Sequence, residues 1–255
     1  MNGAANNTPA IRIHPLKGVT MKIKGSVALV TGANRGLGAA FARGLVAAGA
    51  AKVYAAARDP AAVLLPGVVP VRLDVTQPEQ VAGLARELTD VTLLVNNAGI
   101  FEFEPLLAPG AIDALHRQFE TNAVGPLRLV QAFAPVLAAN SGGAVINILS
   151  VLSWLTLSGV SGGYSASKAA GWALSNALRQ ELKAQHTELL SVHAAFIDTD
   201  MARGVPGSKI APDDVVRQAI AALEAGQPEL LADPTTRNVH AGLAAEPPMY
   251  LGTGA

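Results

Sequence analysis

Short apolar runs rich in Val, Ile and Leu alternate along the chain with longer segments in which apolar residues recur with helical spacing. The short runs predict strands at residues 27–30, 52–56, 69–73, 93–96, 144–149 and 191–197, with a weaker one at 229–232. The longer segments predict helices at residues 38–48, 78–88, 111–137, 164–184 and 212–225. Strands that are apolar along their whole length are typical of parallel sheets covered by helices on both faces. The pattern therefore predicts an α/β fold with a doubly wound sheet of about seven parallel strands.

The order of these elements predicts the domain organisation. No repeat and no linker-like tract separates them, so we expect one domain over residues 24–255. Residues 1–23 precede the first strand and predict a flexible N-terminal arm. Residues 199–211 contain Gly204, Pro206 and Gly207 and predict a mobile lid over a ligand at the carboxyl ends of the strands.

Composition argues against several kinds of partner. The 19 Lys and Arg residues balance 19 Asp and Glu, so no long-range field would attract nucleic acid or an anionic membrane surface. We find no signal peptide and no apolar stretch long enough to span a bilayer, and we expect a cytoplasmic protein. The chain has no Cys, and its five His residues lack the spacing of metal ligands, so no metal site is expected.

Glycines cluster directly after the first predicted strand. Residues 31–38 read TGANRGLG and lead into an Ala-rich helix. Glycine allows the backbone to turn sharply and to approach a phosphate, and the free amides at a helix start bind anions. The spacing differs from G-x-G-x-x-G, and the Gly-Lys-Ser/Thr of nucleotide-hydrolysing loops is missing. A glycine-rich connection without a ligand is the alternative interpretation.

Further motifs, taken together with this turn, resemble the short-chain dehydrogenase/reductase family. The pattern T-G-x-x-x-G-x-G is followed, in the family's order, by Asn96-Asn97-Ala98-Gly99, Asn122, Ser150, and Tyr164 with Lys168, over about residues 25–235. The resemblance implies a Rossmann-type fold and a nicotinamide cofactor. It also implies oxidation or reduction of an alcohol or carbonyl group on a small molecule.

The end of the second predicted strand bears on the choice of cofactor. Enzymes that use NAD usually place a carboxylate there for the ribose hydroxyls, but Ala57 stands at that position and Arg58 follows it. Together with Arg35 in the glycine turn, Arg58 would suit a 2′-phosphate, so we predict NADP(H). Asp59 could bind the ribose instead. Asp74 resembles the family's adenine-contacting aspartate, or it caps the following helix.

Tyr164 and Lys168 are four residues apart, so on a helix both side chains point from one face. A nearby ammonium would favour the phenolate, and we expect Lys168 to lower the pKa of Tyr164. By the resemblance, Tyr164 exchanges the proton of the substrate oxygen, Ser150 hydrogen-bonds that oxygen, and Lys168 holds the nicotinamide ribose. Asn122 would bind a water of the proton relay, or it is an ordinary interhelical amide. Ser153 competes with Ser150 for the catalytic role.

The cofactor contacts that we expect are spread over every strand end. They are Gly32, Asn34, Arg35, Gly36, Leu37, Gly38, Arg58, Asp74, Val75, Asn97, Ala98, Gly99, Tyr164, Lys168, Ile197 and Thr199. One departure from the family lies before the last two, where Ala194-Ala195 replaces the common Pro-Gly. This departure brings the fit of the nicotinamide ring and the substrate into question more than it does the fold.

Apolar residues near the catalytic set predict the substrate. Phe101, Leu152, Trp154 and Met201 are the pocket candidates, and they favour a hydrophobic ketone, aldehyde or quinone. We therefore predict an NADPH-dependent carbonyl reductase that forms a homodimer or homotetramer, as the resemblance implies. The alternatives are an NAD-dependent alcohol dehydrogenase and a non-catalytic regulator that senses NADP(H).

Overall fold

The computed structural model describes residues 21–157, 159 and 161–251. Most of the N-terminal arm predicted over residues 1–23 therefore lies outside the described residues. Its last residue departs from the prediction. Ile23 is 1% exposed and its amide donates to Glu224 Oε1 at 3.0 Å. This apolar residue is part of the core, so the packed domain begins before residue 24.

Seven parallel strands form one sheet, as the apolar runs predict. They are β1 (Val27–Thr31), β2 (Lys52–Ala57), β3 (Val69–Arg72), β4 (Leu93–Asn96), β5 (Gly143–Ile148), β6 (Thr187–His193) and β7 (Glu229–Leu231). The strand order is β3-β2-β1-β4-β5-β6-β7, with every neighbouring pair parallel. The predicted doubly wound α/β fold is confirmed. The order reverses between β1 and β4, and sheets of this kind bind ligands in the crevice at such a reversal.

Helices cover both faces of the sheet. They are α1 (Gly36–Ala47), α2 (Pro78–Glu87), α3 (Ala111–Phe119), α4 (Gly125–Ala139), α5 (Gly162–Glu181), α6 (Pro212–Glu224) and α7 (Pro234–Gly242). The single helix predicted over residues 111–137 is divided by a π-helical turn at Glu120–Val124. The sequence analysis missed α7, although Asp233-Pro234 is a typical helix start, because the segment is short and only weakly apolar.

Two apolar clusters fill the space between the sheet and its helices. Alternate side chains of β1 enter different clusters, with Ala28 and Val30 on one face and Leu29 on the other. Phe41 of α1 is fully buried in the first cluster, and Phe133 of α4 is fully buried in the second. The inner strands β1, β2, β4, β5 and β6 are buried on both faces, which explains why they lack the polar alternation of half-exposed strands, whereas the edge strand β3 is largely exposed.

Strand β6 lies four residues earlier than the predicted 191–197. It pairs with β5 from Thr187 onwards, and its polar first residues are held by this pairing. The chain leaves the sheet after His193, and Ile197 makes only an isolated bridge to Ile210. The apolar residues that follow β6 therefore lie above the carboxyl edge of the sheet instead of within it.

Candidate active site

The glycine turn after β1 closes against the sheet. Gly32 and Gly36 have φ values of 63° and 54°, in the left-handed region that favours glycine. A Cβ on Gly38 would lie 2.2 Å from the carbonyl oxygen of Gly32, so no larger residue fits this turn. Arg35 is the N-cap of α1 and provides no side-chain cap. The first amides of α1 are therefore available for a phosphate, and the turn fits a dinucleotide.

Thr31, which the sequence analysis did not single out as a site residue, joins this turn to the next strand. Its hydroxyl accepts hydrogen bonds from the amides of Asn97 and Ala98, both at 3.0 Å, and donates to Val95 O at 3.3 Å. The Asn97 side chain donates to the carbonyl oxygens of Thr31 and Gly32 at 2.9 and 3.3 Å. The side chain of Asn97 thus positions the turn. Thr31 could have been found from its place at the strand end.

The end of β2 carries no carboxylate aimed at a ribose. Ala57 is buried there and Arg58 is exposed. Asp59 has a different task, because its carboxylate accepts a hydrogen bond from Ala61 N at 3.1 Å and caps a short 3-10 turn. Arg35 is also exposed and lies 3.5 Å from Asp200. Asp59 is therefore occupied by this turn, Arg35 pairs with Asp200, and Arg58 is the exposed cation at the end of β2.

Asp74 and Val75 follow β3 and take part in local structure. Asp74 Oδ1 accepts hydrogen bonds from the amide and hydroxyl of Thr76, at 3.0 and 2.7 Å. The N-cap of α2 is Gln77, so Asp74 stabilises the turn before the helix instead of capping it directly. Val75 accepts a hydrogen bond from Arg128 at 2.7 Å through its carbonyl oxygen.

Asn122 lies in the π-helical turn and holds the loop after β4. Its side chain accepts from the amide of Ile100 and donates to the carbonyl oxygen of the same residue, both at 2.9 Å. It also donates to the Ser167 hydroxyl at 3.0 Å. A Cβ on Gly99 would lie 3.2 Å from Asn122 Oδ1 and 3.8 Å from Lys168 Nζ. The Asn122 side chain thus connects the loop after β4 to α5, close to Lys168. These contacts agree with the interpretation of Asn122 as a structural amide.

Tyr164, Lys168 and Ser150 meet at the start of α5. Lys168 Nζ lies 5.7 Å from the centre of the Tyr164 ring and donates to Ile148 O, at the end of β5, at 2.8 Å. Burial raises the pKa of Tyr164 to about 12, although a hydrogen bond with Ser150 lowers it in part. Burial also lowers the pKa of Lys168 to about 8. The expected lowering of the Tyr164 pKa is thus not found, because desolvation is the larger effect and the hydrogen bond with Ser150 offsets only part of it.

The two competing serines have different tasks. Ser150 Oγ accepts from Leu152 N at 3.1 Å and reaches Tyr164, whereas Ser153 Oγ accepts from Ser150 N at 3.3 Å. Ser153 therefore supports the residue that touches the tyrosine. This arrangement favours Ser150 as the catalytic hydroxyl.

The pocket candidates divide into near and distant residues. The Phe101 ring lies 4.8 Å from the Tyr164 ring and 4.3 Å from Phe103. Trp154 instead stacks on His193 at 4.1 Å. Leu152 is buried in a small cluster with Val151 and Val239. Met201 is 48% exposed and lies in the predicted lid.

The start of the predicted lid contacts the glycine turn. The methyl group of Thr199 lies 3.4 Å from the position that a Cβ would take on Gly36. Asp198 N donates to Ile210 O, and Ile210 N donates to Phe196 O, both at 2.9 Å. The two ends of the predicted lid are therefore joined, and its Thr199 end lies against the glycine turn.

Asp233 is a second residue that the sequence analysis missed. Its carboxylate caps α7 through Thr236 N at 2.9 Å and also accepts from Ala195 N at 2.8 Å. The contact holds the Ala194-Ala195 segment that departs from Pro-Gly. The Asp-Pro helix start was the available signal, but the sequence does not show its distant partner.

These features define a dinucleotide-dependent oxidoreductase. A family model described as short chain dehydrogenase matches residues 26–208. An uncharacterized oxidoreductase of Methylorubrum extorquens is 31% identical over 226 residues, which cover 83% of this chain and 89% of the relative. The chain belongs to the short-chain dehydrogenase/reductase family.

Solved structures agree with this assignment. A short chain dehydrogenase from Burkholderia cenocepacia in complex with NADP is 41% identical, with a TM-score of 0.84 over 89% of this chain and 96% of that one. A short chain dehydrogenase/reductase from Burkholderia phymatum in complex with NAD is 26% identical, with a TM-score of 0.77 over 88% and 95%. The structures thus include both nicotinamide dinucleotides.

Two features are absent from the described residues. No helix there is long and apolar enough to cross a membrane. No group of three His, Asp or Glu side chains in the same residues could hold a metal ion.

The geometry around Tyr164 predicts unequal effects of two serine substitutions. Ser150→Ala should lower kcat about 100-fold or more, because the hydroxyl beside the proton donor is lost. Ser153→Ala removes only a support and should lower kcat less than tenfold. Steady-state kinetics under saturating cofactor measures both, with melting temperature as the control for folding. A greater loss in Ser153→Ala than in Ser150→Ala would contradict the assignment.

Proposed function

We propose that this chain reduces a hydrophobic ketone, aldehyde or quinone to the alcohol with NADPH, with Tyr164 as the proton donor. The observation that carries the proposal is the state of the Tyr164 hydroxyl. It is hydrogen-bonded to Ser150, and its pKa of about 12 keeps it protonated at neutral pH. A protonated phenol beside a second hydroxyl suits the neutralisation of a developing alkoxide.

Each residue of the set has a separate task. A reduced nicotinamide dinucleotide, when bound, supplies the hydride. Ser150 donates a hydrogen bond to the substrate oxygen and Tyr164 transfers its proton to the same atom. Lys168 retains donors beyond the bond to Ile148 O, since an ammonium has three, and these can hold the ribose. Asn122 holds the loop after β4 against α5, and this contact fixes the positions of the residues around Lys168.

The preference for NADPH rests on the corner next to β2. Ala57 cannot accept hydrogen bonds from ribose hydroxyls with its side chain, and Asp59 already caps a turn. Arg58 and Arg35 can both form charge-assisted bonds to a 2′-phosphate. The complex of the 41% identical Burkholderia cenocepacia protein with NADP supports this choice.

The substrate side is aromatic. Phe101 stands against the Tyr164 ring, and Phe103, which is 61% exposed, extends the same surface outwards. Apolar rings at the mouth of a site favour substrates that bury apolar or aromatic area over charged sugars. We assign Phe101 and Phe103 to the substrate side, and Met201, which is exposed in the predicted lid, is the third candidate. Trp154 and Leu152 are better explained as supports of the turn after β5.

The expected assembly rests on the family resemblance, and the expected location rests on the sequence analysis. A homodimer or homotetramer in the cytoplasm is the expected state. Light scattering on the purified protein measures the assembly directly.

A substrate panel tests the function. Hydrophobic ketones, aldehydes and quinones are incubated with NADPH, and turnover is followed by the loss of NADPH absorbance. In a parallel assay, polyols are incubated with NAD, and turnover is followed by the gain of NADH absorbance. We expect turnover of the hydrophobic carbonyl compounds. Oxidation of alcohols with NAD alone would establish the dehydrogenase alternative. Silence across the panel, with NADPH binding shown by fluorescence, would establish a sensor.

Reversing one charge tests the cofactor choice. Arg58→Asp should raise KM for NADPH about tenfold to 100-fold and leave KM for NADH within about threefold, because one charge-assisted contact to the 2′-phosphate becomes repulsive. Arg86→Asp, at the exposed end of α2, makes the same charge change away from the crevice and should alter neither value. Equal losses for both cofactors in Arg58→Asp would contradict the role of Arg58.

The pH dependence follows from Lys168. Its pKa of about 8 means that the ammonium is present below pH 8 and is lost above it, whereas Tyr164 holds its proton until about pH 12. Thus kcat/KM for carbonyl reduction should be flat from pH 6 to near 8 and then fall, approaching about tenfold per pH unit. NADPH binding to Tyr164→Phe should weaken over the same range. A profile that stays flat to pH 10 would contradict this assignment.

A further inference from the structure

His193, the last residue of β6, lies directly behind the catalytic serine. Its ring is fully buried. Nδ1 is 3.1 Å from the carbonyl oxygen of Ser150, and Nε2 is 3.0 Å from Glu229 Oε1. The Trp154 ring stacks on the imidazole at 4.1 Å with an interplanar angle of 20°. The imidazole therefore cannot rotate without breaking two hydrogen bonds and a stacking contact.

The partners of this ring determine where its protons are. A backbone carbonyl oxygen can only accept, so Nδ1 must carry a hydrogen. A carboxylate oxygen is also an acceptor, so a second proton must lie between Nε2 and Glu229 Oε1. His193 and Glu229 thus hold one proton more than a neutral imidazole and a free carboxylate would. The pair is either an imidazolium with a carboxylate or an imidazole with a carboxylic acid.

The groups around Glu229 favour its ionised form. The hydrogen bond from His193 is the largest cause that lowers the pKa of Glu229, and Trp172 and His240 act in the same direction. Arg179 of α5 is a further nearby cation. Burial lowers the pKa of Arg179, and the charge of Glu229 opposes part of this shift. Asp233 faces the adjacent backbone, where it accepts from Ala195 N. A stacked indole also stabilises a cationic ring.

The contact with Ser150 connects this pair to the chemistry. Strand β5 ends at Ile148, so Ser150 lies beyond the regular ladder. The carbonyl oxygen of Ser150 accepts from Ser153 N at 3.0 Å and from His193 Nδ1, and these two bonds use both of its lone pairs. Loss of the imidazole would leave a buried carbonyl underbonded next to the hydroxyl that must meet the substrate oxygen.

We infer that His193 and Glu229 form a buried proton-sharing pair that positions Ser150 for the reaction. This inference rests on the proposed function, since Ser150 matters only if the chain reduces a carbonyl group. His193 is a positioning residue, because it acts through the main chain of Ser150. Glu229 fixes the orientation of the imidazole and thereby directs Nδ1–H towards the carbonyl.

The kinetic test uses substitutions that separate the two hydrogen bonds. His193→Leu removes both and should lower kcat about tenfold or more, since small displacements of catalytic groups cost this much. His193→Asn keeps a donor near the Nδ1 position and should recover at least half of that loss on a logarithmic scale. NADPH affinity should stay within about twofold in both. His240→Leu removes another ring that contacts Trp154, at 5.0 Å, but breaks no hydrogen bond to Ser150, so it should lower kcat much less than His193→Leu does.

The protonation test requires no substrate. Nitrogen NMR of histidine-labelled protein at pH 7 should show protons on both ring nitrogens of His193, and Glu229→Gln should leave a proton on Nδ1 alone. A wild-type ring with a proton on Nε2 only would overturn the inference. So would a folded His193→Leu that turns over like wild type. If wild type is silent on every carbonyl compound, the proposed function fails while the NMR result still decides the proton-sharing pair.

Discussion

The geometry of the candidate site depends on the close approach of the chain at Gly38. A side chain there would collide with the carbonyl oxygen of Gly32, so α1 could not begin beside the end of β1. Its first amides would then no longer open onto the crevice at the reversal of strand order. Thr31 and Asn97 make the same turn continuous with β4 through hydrogen bonds of 2.9 to 3.3 Å. The glycine turn and the end of β4 are therefore one connected structure.

Burial gives the catalytic pair its electrostatic character. The same low-polarity surroundings raise the pKa of Tyr164 and lower that of Lys168, because each charged form loses hydration. Both shifts favour a neutral pair, and the hydrogen bond from Ser150 only partly opposes the shift on the tyrosine. A phenol in this state is a proton donor before it is a base. The Tyr164 phenol therefore keeps its proton at neutral pH.

Local patterns in the sequence predicted the parts of this structure that depend on residues close to one another along the chain. The strands and most helices follow from runs of apolar residues, and the i, i+4 spacing correctly placed Tyr164 and Lys168 on one helix. The site residues that were missed act through long-range contacts. His193 and Ser150 are 43 residues apart, and Ala195 and Asp233 are 38 residues apart. The position of β6 was wrong for a related reason, since pairing with β5 outweighed the polar character of Thr187 and Glu188.

The departure from Pro-Gly after β6 can be understood from these same contacts. A proline would restrict the backbone through its ring, whereas Ala194 and Ala195 have no such restriction. Here the segment is held from both sides, by Val151 N donating to Ala194 O at 2.9 Å and by Ala195 N donating to Asp233. The methyl group of Ala195 packs with the cluster that contains Tyr164 and Val239. Both hydrogen bonds use main-chain atoms that Pro-Gly would also provide, so the replacement leaves these contacts at the carboxyl edge of the sheet in place.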